Sequence, residues 1–355
     1  MKYILWELIA LILRPFVTKI PRGHIVIGSK SGEFTDNSKF LYLTLLSSGY
    51  QIYWACHTGE QLRSMQRNGY DKVFNAYSLS SIKIISGASH YIVCFDMYDI
   101  NPYFLHPRTK VIHLWHGVSL KRFGKSNRFS YLYNPSGLKQ LAQSWIFRRK
   151  MHVPDIFINP CPKLNDSLSH AFDLPPRNIL NVQYPRTSYL RRSCSPSLER
   201  RRVLWLPTLR NYWPSLIQSD YLIVKRELAK RGIELDIRYH PAQKGLGTGY
   251  DVYTEASQYS AIVTDLSSVA IELNVVGFPV FVYFPDEDQY LRQERELLKE
   301  SSAFRIDQID NPLQLCDRIE NNQPNFNEIL FECTDVDADW STILTCDVEK
   351  RAELG

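Results

Sequence analysis

The chain predicts an α/β protein of two Rossmann-like halves facing a cleft. Three observations predict it. Short apolar runs alternate with helical stretches, the pattern of parallel strands covered on both faces. The pattern breaks near 185–201, where Pro185, Pro196 and a Ser/Arg-rich stretch read as a linker, and then starts again. At 355 residues the chain also exceeds one typical core.

In order, the first half opens with His24–Gly28 as a buried strand leading into a Gly/Ser loop, Ser29–Asn37. Phe40–Ser47 reads as a helix, and Gln51–Cys56, Tyr91–Phe95 and Val111–Trp115 as further strands. After the break, Arg202–Leu206, Glu234–Arg238, Ala261–Thr264 and Val280–Phe284 repeat the scheme, with a helix over Val269–Val275. The expected division is 1–22 as a terminal helix, 23–188 and 201–325 as the two halves, 189–200 as linker, and 326–355 as an acidic tail or helix. No internal repeat or low-complexity tract stands out.

Composition narrows the class. Apolar content of 44% and aromatic content of 13% describe a folded globular chain and exclude a disordered one. The seven cysteines are scattered with no CxxC pair, which argues against a zinc ribbon or a disulfide framework and for thiols in a reducing cytoplasm. The net charge of +5 hides two poles. Residues 100–154 hold ten Lys or Arg and no acid, while Asp286 to the end holds 18 acids and 7 bases. Tyr3–Val17 is apolar between Lys2, Arg14, Lys19 and Arg22, but Glu7, Arg14 and Pro15 interrupt it. It is too short for a spanning helix and has no A-x-A cleavage site. A membrane-interface helix on anionic lipid and an ordinary helix packed on the first half both fit.

Polar groups fall at predicted strand ends, where open α/β sheets bind ligands. His116 follows the strand Val111–Trp115 and precedes Gly117, Lys121, Arg122 and Lys125. A histidine there has the pKa of a general base and sits in a field that attracts anions. His113, three residues earlier, points to the opposite strand face and reads as structural. His240 closes a strand of the second half; Thr208 and Arg210 follow Leu206. Thr264, Asp265, Ser267 and Ser268 close another strand and open a helix, whose first-turn N–H groups suit phosphate. Glu272, one turn on, is placed to accept from a ribose. Plain helix capping by the serines is the structural alternative. Asp335–Asp339 lacks the glycine and closing Glu of an EF-hand and reads as a solvated acidic loop. No pattern calls for a metal or another cofactor. The basic tract 121–150, with Phe123, Phe129, Tyr131 and Tyr133, also fits nucleic acid or plain solvated surface.

Five short motifs occur in one order: Trp115-His116-Gly117 with Lys121, Tyr184-Pro185-Arg186, Leu206-Pro207-Thr208-Leu209-Arg210, His240-Pro241 and Thr264-Asp265-Leu266-Ser267-Ser268. Together they resemble the CDP-glycerol glycerophosphotransferases, which build teichoic acids and related capsule polymers. The likeness spans roughly residues 25–290, including Asp36-Asn37 and Val280–Tyr290. It implies a GT-B-like fold, a CDP-polyol donor in the second half and a lipid-linked glycan or polyol-phosphate acceptor on the first. It implies His116 as base and His240, Ser267 and Ser268 around the donor pyrophosphate, with Thr208, Arg210, Thr264, Asp265 and Glu272 on the donor side. Gly117, Lys121, Arg122 and Arg186 would serve the acceptor or its phosphate. Gln183 replaces the family's usual Gly, Thr187-Ser188 its Asn-Asp, Arg238 its Lys and Leu266 its aromatic. The expected protein is a peripheral, monotopic transferase at the cytoplasmic face of the membrane, touching anionic lipid and not nucleic acid. Ribitol phosphate transfer, a GT-B nucleotide-sugar glycosyltransferase and a silent basic surface-binding protein are the alternatives.

Overall fold

A computed structural model describes residues 23–130, 152–194, 198–240, 252–327 and 332–345, with single residues between 6 and 15, at 137, 138, 141 and 196, and within 242–246. The first half is a seven-stranded parallel sheet. Its strands are β1 (His24–Ile27), β2 (Ile52–Cys56), β3 (Val73–Asn75), β4 (Ala88–Val93), β5 (Lys110–His113), β6 (Ile156–Ile158) and β7 (Ile179–Leu180), in the order β3-β2-β1-β4-β5-β6-β7. Every pairing is parallel, with Ile25 beside Ile52 and Tyr91 beside Val111. Helices α1 (Asp36–Ser47), α2 (Gly59–Arg67), α3 (Ser81–Ser86) and α4 (Asn165–Phe172) connect them.

The second half is a four-stranded parallel sheet of β8 (Arg202–Leu206), β9 (Glu234–Ile237), β10 (Ala261–Thr264) and β11 (Val280–Val282), ordered β11-β10-β8-β9, with helices α6 (Ser215–Lys230), α7 (Val252–Glu255), α8 (Ser268–Val275), α9 (Glu287–Gln293) and α10 (Pro312–Glu320). Its alternation is legible in burial. Val203 and Trp205 pack in one cluster with Val224 and Leu315, while Leu204 and Leu206 join the cluster that runs on into the first half. Both faces are therefore apolar, as parallel strands require. Strand order reverses between β1 and β4 and between β8 and β10, so each half has a crevice at the carboxyl ends of those strands.

Several expectations change. Residues 185–193 belong to a helix, α5 (Pro185–Ser193), where a linker was expected; proline at its first position spares a backbone donor that would be unpaired anyway. Helix α1 starts at Asp36, inside the expected loop. Asp335–Asp339 is the exposed loop that was expected, and it is also tied down along the first half. Asp335 pairs with Arg191, Asp337 with Ser188 and Arg192, and Gln183 N donates to Val336 O (2.8 Å). That segment ends in α11 (Trp340–Thr345), whose Trp340, Ile343 and Leu344 are buried in the core. Thr334 N donates to Pro160 O (2.7 Å), which lays Cys333 beside Cys161, and the two form a disulfide. The reading of every cysteine as a free thiol is thereby corrected for this pair; Cys56, Cys94, Cys194 and Cys316 are buried thiols.

The expected terminal helix lies mostly outside the described residues. Those described pack on the first half: Trp6 meets Tyr77 and Phe104 edge to face, and Ala10 is buried with it, while Leu8 and Ile12 face outward. Packing thus claims one face of the segment that was also considered for the membrane interface. Among the described residues no helix is long and apolar enough to cross a membrane.

Candidate active site

Residues after β5, β8, β9 and β10 converge on a cavity of about 860 Å³ between the halves. His116, Gly117, Lys121 and Arg186 line it from one side, and Thr208, His240, Ser267 and Ser268 from the other.

The chain leaves β5 at His113, two residues earlier than expected, and the turn that follows is tightly held. His113 stacks on Phe157 (5.0 Å) and its Nδ1 accepts from Trp115 N (3.1 Å), the structural role expected for it. Trp115 sits at φ 57°, and its carbonyl accepts from Asn37 Nδ2 (2.8 Å). His116 then lies flat on the Phe95 ring, 4.5 Å away with 7° between planes. Its Nδ1 is buried with no hydrogen-bond partner. Burial lowers its pKa to about 3, and His113, Arg186, Lys30 and Arg295 add to the effect. The site therefore holds a neutral imidazole, able to take a proton.

Gly117 has φ 141°, and a Cβ there would lie 2.7 Å from both Glu272 Oε1 and Ser268 Oγ. Only glycine lets this loop touch helix α8 (Ser268–Val275) of the other half. Ser267 caps α8, its side chain accepting from Val269 N (3.4 Å), and Ser268 begins it. The capping alternative is thus realised, and both serines still line the cavity. His240 Nδ1 accepts from Ala242 N (3.1 Å), and burial with nearby Lys30 and Lys121 lowers its pKa.

Other expected ligands are engaged within the protein. Arg210 is buried, donates to both Asp286 oxygens (2.9 and 2.7 Å) and pairs with Asp265 (2.6 Å). It does not line the cavity, so direct phosphate contact is not open to it. Asp265 also holds Thr208 N (3.0 Å), and Thr264 Oγ1 donates to Leu206 O (2.6 Å). Asp265 and Thr264 thus shape the loops after β8 and β10 from behind; Thr208 alone of the three lines the cavity. Glu272 is buried off the cavity and bonded to Arg186 Nε (2.8 Å), which corrects its reading as a ribose acceptor. Arg186 is bound as well by Asp36 (2.7 Å), covers Tyr253 at 3.7 Å and donates to His116 O (3.3 Å). Two carboxylates neutralise it, so it braces the His116 turn where phosphate binding was expected. Arg122 pairs with Glu296 (3.5 Å) and also lies off the cavity.

Sequence reasoning missed Phe95, Asn127, Tyr253, Tyr290 and Arg295 on the cavity wall. The Asp36-Asn37 and Val280–Tyr290 segments carried a signal for their neighbourhood; Arg295 carried none. Among the described residues no group of His, Cys, Asp or Glu has metal-site geometry.

The chain is similar to known proteins. A teichoic acid glycerol-phosphate transferase of Staphylococcus aureus is 21% identical over 321 residues, covering 77% of each chain. A teichoic acid ribitol-phosphate primase of Bacillus spizizenii is 23% identical over 226 residues, covering 54% of this chain and 56% of that one. The wall teichoic acid polymerase TagF shares the fold: a variant soaked with CDPG superposes with TM-score 0.70 at 18% identity, covering 99% of this chain and 98% of the other. The sequence profile of the CDP-glycerol:poly(glycerophosphate) glycerophosphotransferase family matches residues 16–328, and the chain belongs to that family.

Proposed function

We propose that this protein transfers glycerol phosphate from CDP-glycerol to a hydroxyl of a lipid-linked acceptor of teichoic-acid or capsule type. The observation that carries the reading is a neutral histidine, His116, facing His240 and the α8 N-terminus across one cavity in a chain of this family. The acceptor oxygen attacks the β-phosphorus of the donor and gives its proton to His116. The new O–P bond forms as the bond to CMP breaks, and CMP leaves with the electron pair. His240, Ser267, Ser268 and the α8 dipole stabilise the phosphate charge, the largest contribution expected in phosphoryl transfer. Lys121 draws in the anionic substrate.

A lipid-linked acceptor requires the protein to work at a membrane surface, and we read that attachment as peripheral, on the cytoplasmic face. Part of the acid-free window, 131–136, 139–140 and 142–151, lies outside the described residues; the window's charge suits anionic lipid.

The test is CMP release from CDP-glycerol, CDP-ribitol and a nucleotide sugar with a lipid-linked acceptor. CDP-glycerol should be the preferred donor, and His116→Ala should lower kcat by roughly 10²–10⁴-fold, the usual worth of a general base. Normal turnover by that variant would remove His116 from the mechanism, and preference for CDP-ribitol would reassign the polyol.

A further inference from the structure

The two halves are joined beside the cavity by a short antiparallel ladder that the proposed chemistry does not use. Arg122 N donates to Glu296 O (2.8 Å), Leu298 N donates to Leu120 O (3.0 Å), and Lys121 bridges to Leu297. Nearby acids are already engaged. Glu296 pairs with Arg122 (3.5 Å) and Arg128 (3.2 Å); Glu294 accepts from Asn211 N and Nδ2 (2.7 Å each); Asp265 is held by Arg210 (2.6 Å). Lys121 from the first half and Arg295 from the second both stand on the cavity wall. Among the described residues neither has a carboxylate partner. Lys121 Nζ donates to the Tyr290 hydroxyl (3.4 Å). After burial, Arg295 is the largest influence lowering the Lys121 pKa, so the two charges oppose each other across the cleft. An unneutralised pair of this kind costs free energy that a bound anion would recover.

We infer that Lys121 and Arg295 form a two-cation seat for a substrate phosphate, one cation from each half, and that the 120–122/296–298 ladder assembles the seat when the halves close. Repulsion between the cations opposes closure of the empty protein. A phosphate reverses the sign of that interaction and pulls the ladder shut. The seat rests on the proposed transfer reaction only for the identity of its phosphate, which belongs either to the donor diphosphate or to the acceptor.

Inorganic pyrophosphate is a probe that needs no turnover. By titration calorimetry on the full chain, Arg295→Gln should weaken its binding about tenfold, the loss of one charge-assisted hydrogen bond. Arg292→Gln, on an exposed turn of the helix Glu287–Gln293, removes the same charge away from the cavity and should leave affinity within about twofold. Arg295 is exposed and opposed by Lys121, so thermal unfolding of Arg295→Gln should not fall below that of the wild type. Pyrophosphate should slow amide exchange at Arg122 and Leu298 in the wild type and not in Arg295→Gln. Equal pyrophosphate affinity in wild type and Arg295→Gln would overturn the seat; exchange indifferent to pyrophosphate would overturn the coupled closure. With substrates, a higher KM for CDP-glycerol in Arg295→Gln assigns the seat to the donor, and a higher KM for the lipid-linked acceptor assigns it to the acceptor. If no substrate turns over in the wild type while pyrophosphate behaves as described, the transferase reading fails and the seat stands.

Discussion

At the scale of single residues, position and partner decide different things. Gly117 shows the first. Its φ of 141° and the 2.7 Å approach a Cβ would make to Glu272 Oε1 leave no room for alanine. Gly117→Ala should cost about 1–3 kcal/mol in urea unfolding and should displace the His116 turn, so kcat falls with it. Unchanged stability would mean that the loop does not meet α8 in solution. Arg210, Arg186, Glu272 and Asp265 show the second. All four were expected on a ligand: Arg210 and Asp265 from their places after strands, Glu272 from its place one helical turn on, and Arg186 from the family resemblance. Their partners were not legible in the sequence: Arg210 meets Asp286 76 positions away, Arg186 meets Glu272 across 86 and Asp36 across 150. Long-range neutralisation leaves no periodic trace, so a sequence reading counts a braced charge as an available one. His116, His240 and the two serines line the cavity, and their positions were legible because strand ends and helix caps are local features.

Elements follow the same division. Interior strands announced themselves as apolar runs, whereas β6 and β7, three and two residues long, carry too little pattern to be seen. The string of acids in the C-terminal segment marked it as solvated, and it is exposed, but the acids gave no sign of where the segment is laid. Two departures from the family motif, Gln183 and Ser188, are among the residues that receive it. Magnitudes say what holds it there. The Asp335–Arg191 pair has one strongly exposed partner, and such pairs contribute at most about 1 kcal/mol. Trp340 is 9% exposed and sits in the core cluster with Ile343 and Leu344, where truncation of a large aromatic costs about 3–5 kcal/mol. Trp340→Ala should therefore lower the urea midpoint severalfold more than Asp335→Ala. Equal effects would mean that charge, and not burial, docks the segment.

For the whole molecule, the cleft is a place where like charges are held apart from their counter-ions until substrate arrives, and pH reads this directly. Burial, Arg295 and Arg210 push Lys121 down to about 7, against the pull of Asp265 and Glu294. The unfolded chain keeps that proton to near the ordinary 10.5, so this group's contribution makes the empty protein gain stability as pH rises between those values. Substrate capture has the opposite sign, since only protonated Lys121 attracts phosphate. In the free enzyme kcat/KM should thus fall as pH rises through about 7. His116, lowered to about 3, is neutral throughout that range and contributes no limb there. Lys121→Arg keeps its charge at any working pH. It should lift the basic limb out of the kcat/KM profile while leaving the acid side in place. A basic limb that persists unchanged in Lys121→Arg would assign the titration to another group and detach the cleft's pH response from the cation that spans its two halves.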